Sequence, residues 1–304
     1  MGASMKHTQP VGLPAGIYFH LSNSQYHKDP ALSHSGMTQI LVSWQDYWMR
    51  SCHNPDREEY KPTEAMKFGD RSGHLLLDPK SFHEQYSTYG RAGNKHGGVY
   101  IEAGVYRKLE ESVEAVLEVP RAKEHFTDGY PEVTIIWRCK ATGIMMRCKI
   151  DYLRTFGAID AKRIKAMDPW TIGRAVKDQG LDIQNAIYLD GITAGREWLR
   201  EMKPKDLESF AVREGVALDW LKAFRDEEEL WFRFLFQRST PPWIWEFKEL
   251  EDDVLLEGVN AVHKAKLAFN AGLARFGLAR PEMGTGVVTK VSSRHVPRRE
   301  YEYE

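Results

Sequence analysis

The apolar positions of this chain follow two periods, and the changes between them mark out its elements. After a polar leader, Gly16 to Tyr18 is short and extended. Ser33 and Ser35 are candidate caps for a helix running through Trp48 with an aromatic face. Residues 64 to 77, EAMKFGDRSGHLLL, predict a second helix despite Gly69 and Gly73, and a third at about 102 to 118 ends before Pro120. The period then shortens. Glu132 to Cys139 is rich in β-branched and aromatic residues, Lys140 to Gly143 has turn chemistry, and Ile144 to Leu153 resumes as a strand, which makes an antiparallel hairpin. Gly157 to Lys162 is a third strand. Helical spacing returns from Pro169 to about Asp178. Asp182 is the candidate cap of a further helix that presents Gln184, Tyr188 and Gly191 along one side. From Ala194 to Glu229 the pattern is helical and rich in both charges, and its acidic run at Asp226 to Glu229 reads as a solvated face. Leu230 to Phe236 and Trp243 to Phe247 flank QRSTPP as two strands joined by a turn, able to complete the sheet, and a last helix covers about 251 to 275. The class expected is α/β.

Composition narrows the picture. With 304 residues and 42% hydrophobic content, the chain suits one large domain, or one domain with a sizeable insertion. Basic and acidic residues number 42 and 43, so any site for a polyanion is a local patch and not the whole surface. Cys52, Cys139 and Cys148 are odd in number and form no CxxC pair, which points to reduced thiols in a cytosolic compartment and away from a disulfide frame, structural zinc or a four-cysteine cluster. No run approaches the roughly 18 apolar residues of a membrane helix, and MGASMKHTQP lacks the apolar core of a signal peptide. The expectation is therefore a cytoplasmic protein with no membrane partner. Residues 1 to 15 read as a leader whose first four residues resemble a cloning remnant. Residues 16 to 280 read as the domain, with 194 to 229 as a helical insertion. Residues 281 to 304 form a tail poor in core residues, either mobile or paired with another subunit.

The candidate chemistry lies between Glu132 and Lys162. With period 2, Asp151 shares a face with Lys149 and Arg147, and Asp160 shares one with Lys162. If the sheet continues through the third strand, the two aspartates converge. Carboxylate oxygens suit Mg²⁺ or Mn²⁺, and a lysine two residues beyond a ligand can sit against an attacking water. A surface ion pair explains Asp-x-Lys equally well. Other residues carry paired readings too. His74 is either a satisfied, partly buried side chain or a ligand, with Gly69 and Gly73 permitting close approach. Tyr47 and Trp48 belong to the core or stack on a base, and Arg91, Lys95 and His96 are a solvated loop or meet phosphate.

Several segments together resemble one family. GIYFHLSNSQYHKDPALSHSGMTQIL, FGDRSGHLLLDPKSF, EVTIIW, MMRCKIDYL, IDAK and DIQNAIYLDGI resemble, in order and spacing over about residues 16 to 192, the PD-(D/E)XK nuclease superfamily, and within it the RecE-type (exonuclease VIII-like) phage and prophage recombination exonucleases. The resemblance implies a restriction-endonuclease-like mixed central sheet flanked by helices. It implies a 5′ to 3′ exonuclease on double-stranded DNA ends, using Mg²⁺ or Mn²⁺ with two ions per site. It further implies a ring-like homo-oligomer, trimer or tetramer, and a single-strand annealing protein as partner in a bacterial or phage-infected cell. Carried over by position, Asp151 and Asp160 are the principal metal ligands, His74 an additional ligand, and Glu132 a carboxylate for the second ion. Lys162 acts on the attacking water. Gln184 and Tyr188 line the site and hold the DNA backbone or the lysine, with core packing the other reading for Tyr188. Relatives place threonines after the lysine, whereas Arg163 and Ile164 follow here, with Arg163 alternating to the face opposite Lys162, where it reads as a structural ion pair instead of a phosphate contact, and the 194 to 229 segment has no clear counterpart. Cas4-like or RecB-like nucleases, and a DNA-binding or assembly protein on the same fold, are the alternatives. The three cysteines cannot supply the four ligands of a Cas4-like cluster.

Overall fold

The computed structural model describes residues 12–58, 61–88 and 98–281. The chain opens with β1 (Gly16–Tyr18) and α1 (Asn23–Lys28), where Ser22 and Gln25 form a capping box. The helix expected through Trp48 is two helices, α2 (His34–Val42) and α3 (Trp44–Arg50). Ser33 caps the first. Ser43 ends it in extended backbone and caps the second, while Ser35 lies inside the first turn and caps nothing. Next come α4 (Glu64–Leu77) and α5 (Pro79–Gln85), with Asp78 as N-cap and Pro79 at the first helical position. Two short parallel strands, β2 (Tyr86–Ser87) and β3 (Val99–Tyr100), follow. Arg91, Lys95 and His96 lie outside the described residues, as do residues 1–11 and the tail beyond Pro281.

The remaining helices and strands build the layers. α6 (Ala103–Leu117) and α7 (Pro120–Glu124) precede the long hairpin of β4 (Gly129–Arg138) and β5 (Met145–Arg154), then β6 (Gly157–Ile164). After α8 (Pro169–Asp178) comes α9 (Leu181–Arg200), whose N-cap is Gly180 at φ 63 and not Asp182, which falls in its first turn. Gly adopts that left-handed conformation without a Cβ clash. α9 runs on through Ala194 before α10 (Pro204–Glu214) and α11 (Leu218–Asp226), so the charged stretch is the end of one buried helix plus a helical pair. β7 (Trp231–Arg238), β8 (Trp245–Lys248) and α12 (Asp252–Phe276) complete the chain.

The six-stranded sheet has the order β1-β4-β5-β6-β7-β8 and is antiparallel except between β6 and β7, which are parallel. Four helices, α8 to α11, make that crossover. One face, through Val133, Ile135, Cys148, Ile150 and Phe234, joins Ile187 of α9 and Phe269 of α12 in the larger core; the other, through Tyr152, Ile159 and Leu235, meets Leu75 of α4 and Leu109 of α6. The result is a mixed sheet between helical layers. No described helix is long and apolar enough to cross a membrane.

Strict alternation does not run the length of the hairpin. Ile150 and Leu153 both reach the larger core although three residues apart, as do Val133 and, partly, Tyr130. The phase slips at Asp151 on one strand and at Glu132 on the other. At the same level the sheet forks. β6 pairs with β5 only from Tyr152 to Arg154, and farther along, β5 pairs instead with Leu32, which donates to the Met145 carbonyl at 2.8 Å and accepts from the Arg147 amide at 3.0 Å.

Candidate active site

The fork gathers the sequence's candidate residues other than His74. The pairs Pro131–Tyr152 and Val133–Ile150 place Glu132 across from Asp151, and extending Tyr152–Ile159 by one step places Asp160 across from Asp151 on the other side. Three carboxylates thus lie in one row over β4, β5 and β6. Because β6 turns away here, its backbone has a free donor, and the Ala161 amide gives it to Asp151 Oδ2 at 2.9 Å. Asp160 is 1% exposed. Its Oδ1 accepts from the Gln184 amide, and its Oδ2 forms an ion pair with Lys162. Gln184 therefore holds the aspartate and not the lysine.

The electrostatics follow from burial. Desolvation, then the neighbouring Asp160, holds the Asp151 carboxyl well above the usual carboxylate range; Lys162 and the Ala161 amide oppose that rise, and Glu132 adds to it. The Lys162 ammonium pairs with Asp160, and Asp151 has the Ala161 amide in place of a cation of its own. Glu132 sits at φ 56, a left-handed conformation uncommon for a residue with a side chain. Its Oε2 pairs with Lys149 Nζ at 2.7 Å, and the same ammonium donates to Asn23.

Tyr188 lies one turn beyond Gln184 and is buried, edge-on to Phe232 with centroids 5.6 Å apart. Desolvation first, then Tyr26, Asp160 and Asp151, raise its pKa, which keeps the phenol neutral. It combines core packing with proximity to the row. His74 stands apart. It belongs to α4, the helix on the opposite sheet face, shares a hydrogen bond with Ser81 Oγ at 3.1 Å, and packs edge-on against Phe82 and Tyr86. Burial lowers its pKa, with Asp78 and Glu132 opposing, so the ring lies within the field of the row without touching it.

Two residues escaped the sequence reading. Asp70, one turn before His74, has its pKa raised by desolvation and by Glu132, and its i, i+4 spacing from the histidine was the available signal. His34 opens α2 beside the fork, where Lys162 and Asp160 act on it. Nothing in its local sequence separates it from an ordinary first-turn residue.

Whether these residues suit a divalent ion is a question of donors. Asp151 and Asp160 offer hard carboxylate oxygens in an enclosed pocket short of positive charge, which fits Mg²⁺ or Mn²⁺ bound by two carboxylates with water and phosphate oxygens completing the shell. Among the described residues no group of three His, Cys, Asp or Glu converges as an all-protein cage.

No protein-family model matches the sequence, and no curated protein matches it. The fold is similar to a crystal structure from Eubacterium rectale described as a "putative exonuclease", with 16% identity, a TM-score of 0.54, and coverage of 92% of this chain and 99% of that one. At that identity the likeness is one of fold. The chain is thus an α/β protein with a mixed central sheet, similar in fold to that structure, with two aspartates, a lysine and a glutamine set into a fork of its sheet.

Proposed function

We propose that this protein is a metal-dependent deoxyribonuclease of the PD-(D/E)XK superfamily and RecE type. On this reading it degrades linear duplex DNA from its ends, 5′ to 3′, and leaves a 3′ single strand for an annealing protein. The observation that carries the reading is the position of Asp151 across the fork from Asp160, with Lys162 paired to the latter. The name of the fold neighbour supports the exonuclease class. The ring-like homo-oligomer and the bacterial or phage-infected cell rest on the sequence resemblance alone, and the cytoplasmic setting rests on the three cysteines that form no CxxC pair.

Asp151 and Asp160 would hold the ion, while Glu132 and His74, the groups the resemblance gives to a second ion, are engaged here by Lys149 and Ser81. A bound Mg²⁺ or Mn²⁺ supplies a Lewis acid that acidifies the attacking water and offsets charge on the phosphate oxygens. The chain's own groups do the positioning. The Ala161 amide fixes the Asp151 carboxylate, and Gln184 fixes Asp160. The Lys162 ammonium, anchored on Asp160, stands where it can orient the water and meet negative charge building on the phosphate.

The test uses linear duplexes labelled separately at each 5′ and 3′ end, with a closed circle beside them, in Mg²⁺ or Mn²⁺. Expected are loss of linear duplex, 5′ label released first, an intact circle, and no activity in Asp160→Ala. Cutting of the circle overturns the exonuclease reading. Wild-type protein that binds duplex but cleaves nothing with either metal favours a DNA-binding protein on the same fold.

A further inference from the structure

The residues that hold Asp160 are themselves held from outside the row. Leu32 bridges β5 where β6 departs, and Ser33 then caps α2, so His34 begins that helix directly beside the fork. From there its Nε2 reaches the carbonyl of Gly180 at 2.9 Å. A carbonyl only accepts, so Nε2 carries the proton and the ring's tautomer is fixed. Gly180 is the N-cap of α9, and the same carbonyl accepts the Gln184 backbone amide at 3.0 Å as the first bond of that helix. The Gln184 side chain in turn donates to Asp160.

The joint leaves little freedom. At φ 63, Gly180 has a backbone that residues with a Cβ rarely adopt, and a Cβ there would press on Thr38 Cγ2 at 2.8 Å and stand in ordinary contact with His34 Nε2 at 3.4 Å. A four-member relay therefore runs from His34 through Gly180 and Gln184 to Asp160. A buried helix start with its first carbonyl tied from two sides cannot rotate without releasing one of those bonds.

We propose that His34 is a positioning residue for the reaction: through the Gly180 carbonyl it sets the first turn of α9 and hence the Gln184 amide that orients Asp160. This rests on the nuclease reading for its consequence, while the relay itself is independent of it. The side chain never touches substrate. It acts on Asp160 at second hand, so its removal lowers turnover more than it weakens substrate binding.

The decisive comparison is His34→Gln against His34→Asn. Both are polar, and of the two amides only that of glutamine extends as far as Nε2 does. The measurements are kcat and KM on linear duplex, Mn²⁺ affinity by electron paramagnetic resonance in the absence of DNA, and the thermal midpoint. His34→Gln is expected to keep kcat within about threefold of wild type, and His34→Asn to lose about tenfold with KM little changed, the loss of one buried hydrogen bond. Mn²⁺ affinity should fall in the same order. In a Gln184→Met background, His34→Asn is expected to add less than about twofold, because the relay is already cut. Equal behaviour of the two substitutions, or losses that multiply in the double variant, overturns the proposal. If wild type cleaves no DNA, the nuclease reading falls, and the ordering of Mn²⁺ affinities still decides the role of His34.

Discussion

The backbone amide of Ala161, the residue between Asp160 and Lys162, donates to Asp151 Oδ2 at 2.9 Å. The strand that carries the second aspartate and the lysine thus grips the first aspartate by its main chain. That grip is partial compensation for an unfavourable charge. Burial and Asp160 raise the Asp151 pKa in the folded chain, so folding favours its protonated form. The sign follows from linkage: this group's contribution to stability is full below its unfolded pKa and is lost as pH rises through the folded one. Asp151→Asn keeps an acceptor for the amide and removes the charge. It is expected to abolish cleavage yet melt above wild type at neutral pH in chelator, with the gap closing in acid. Thermal denaturation across pH checks this; a variant less stable than wild type at neutral pH would sink it.

Glu132 holds a left-handed φ of 56 between partners in regular strand, and its carboxylate reaches Lys149 at 2.7 Å. Local strain of this kind costs about 1 to 3 kcal/mol and persists where the surroundings enforce it. Both Glu132→Gly and Glu132→Ala lose the half-exposed ion pair, which contributes little. Only glycine relieves the backbone. The glycine variant is therefore expected to be about 1 kcal/mol more stable than the alanine variant by denaturant melts, with cleavage lowered in both. Equal stability of the two would show that φ is not the source of strain.

Much of this was legible in the sequence. The β-branched hairpin, the Asp-x-Lys strand and the helix carrying Gln184 and Tyr188 all lie where their periods put them, because each has a local signal of turn, cap or alternation. Illegible were the features made by tertiary pairing. Alternation assigns one face to Arg147, Lys149 and Asp151, but the phase slips at Asp151, where β6 leaves the ladder and Leu32 replaces it. No residue pattern announces that replacement. His34 owes its place to it, and the contact of Gln184 with Asp160 in place of the lysine is likewise a matter of helix docking.

Arg163 faces away from its neighbour Lys162. Its Nη2 donates to Ser72 of α4 and, at 3.2 Å, to Ser112 of α6, over the Phe68 ring, and burial lowers its pKa to about 10. No described carboxylate pairs with it, so the structural ion pair expected from sequence is a hydroxyl-bound guanidinium. Ser112 also donates to the Leu109 carbonyl, and the two serines share a further bond, so neither depends on the arginine. Arg163→Met is expected to be at least as stable as Arg163→Lys, which keeps a half-buried charge without the planar fork, and to cleave within about threefold of wild type, since a face away from the site contributes little to turnover. Loss of duplex binding in the methionine variant, read by fluorescence anisotropy, would restore a DNA contact for this side chain.

Gly258 is where α12 meets the first turn of α9. A Cβ there would fall within contact distance of the Asp182 carbonyl and 3.2 Å from its Cα, backbone atoms with no rotamer to escape into. Gly258→Ala must therefore separate the helices, at about 1 to 3 kcal/mol. Because the shifted turn spans Gly180 to Gln184, cleavage should fall with stability, even at temperatures where the variant remains folded. Gly173→Ala is the control. It lies on the exposed side of α8 with nothing within 4 Å of the added methyl, and should gain about 0.5 to 1 kcal/mol from helix propensity alone with cleavage unchanged. Circular dichroism melts with the labelled-duplex assay on both variants check the pair. A Gly258→Ala protein with wild-type turnover would show that the first turn of α9 tolerates displacement, and that Asp160 does not need Gln184 where the fold puts it.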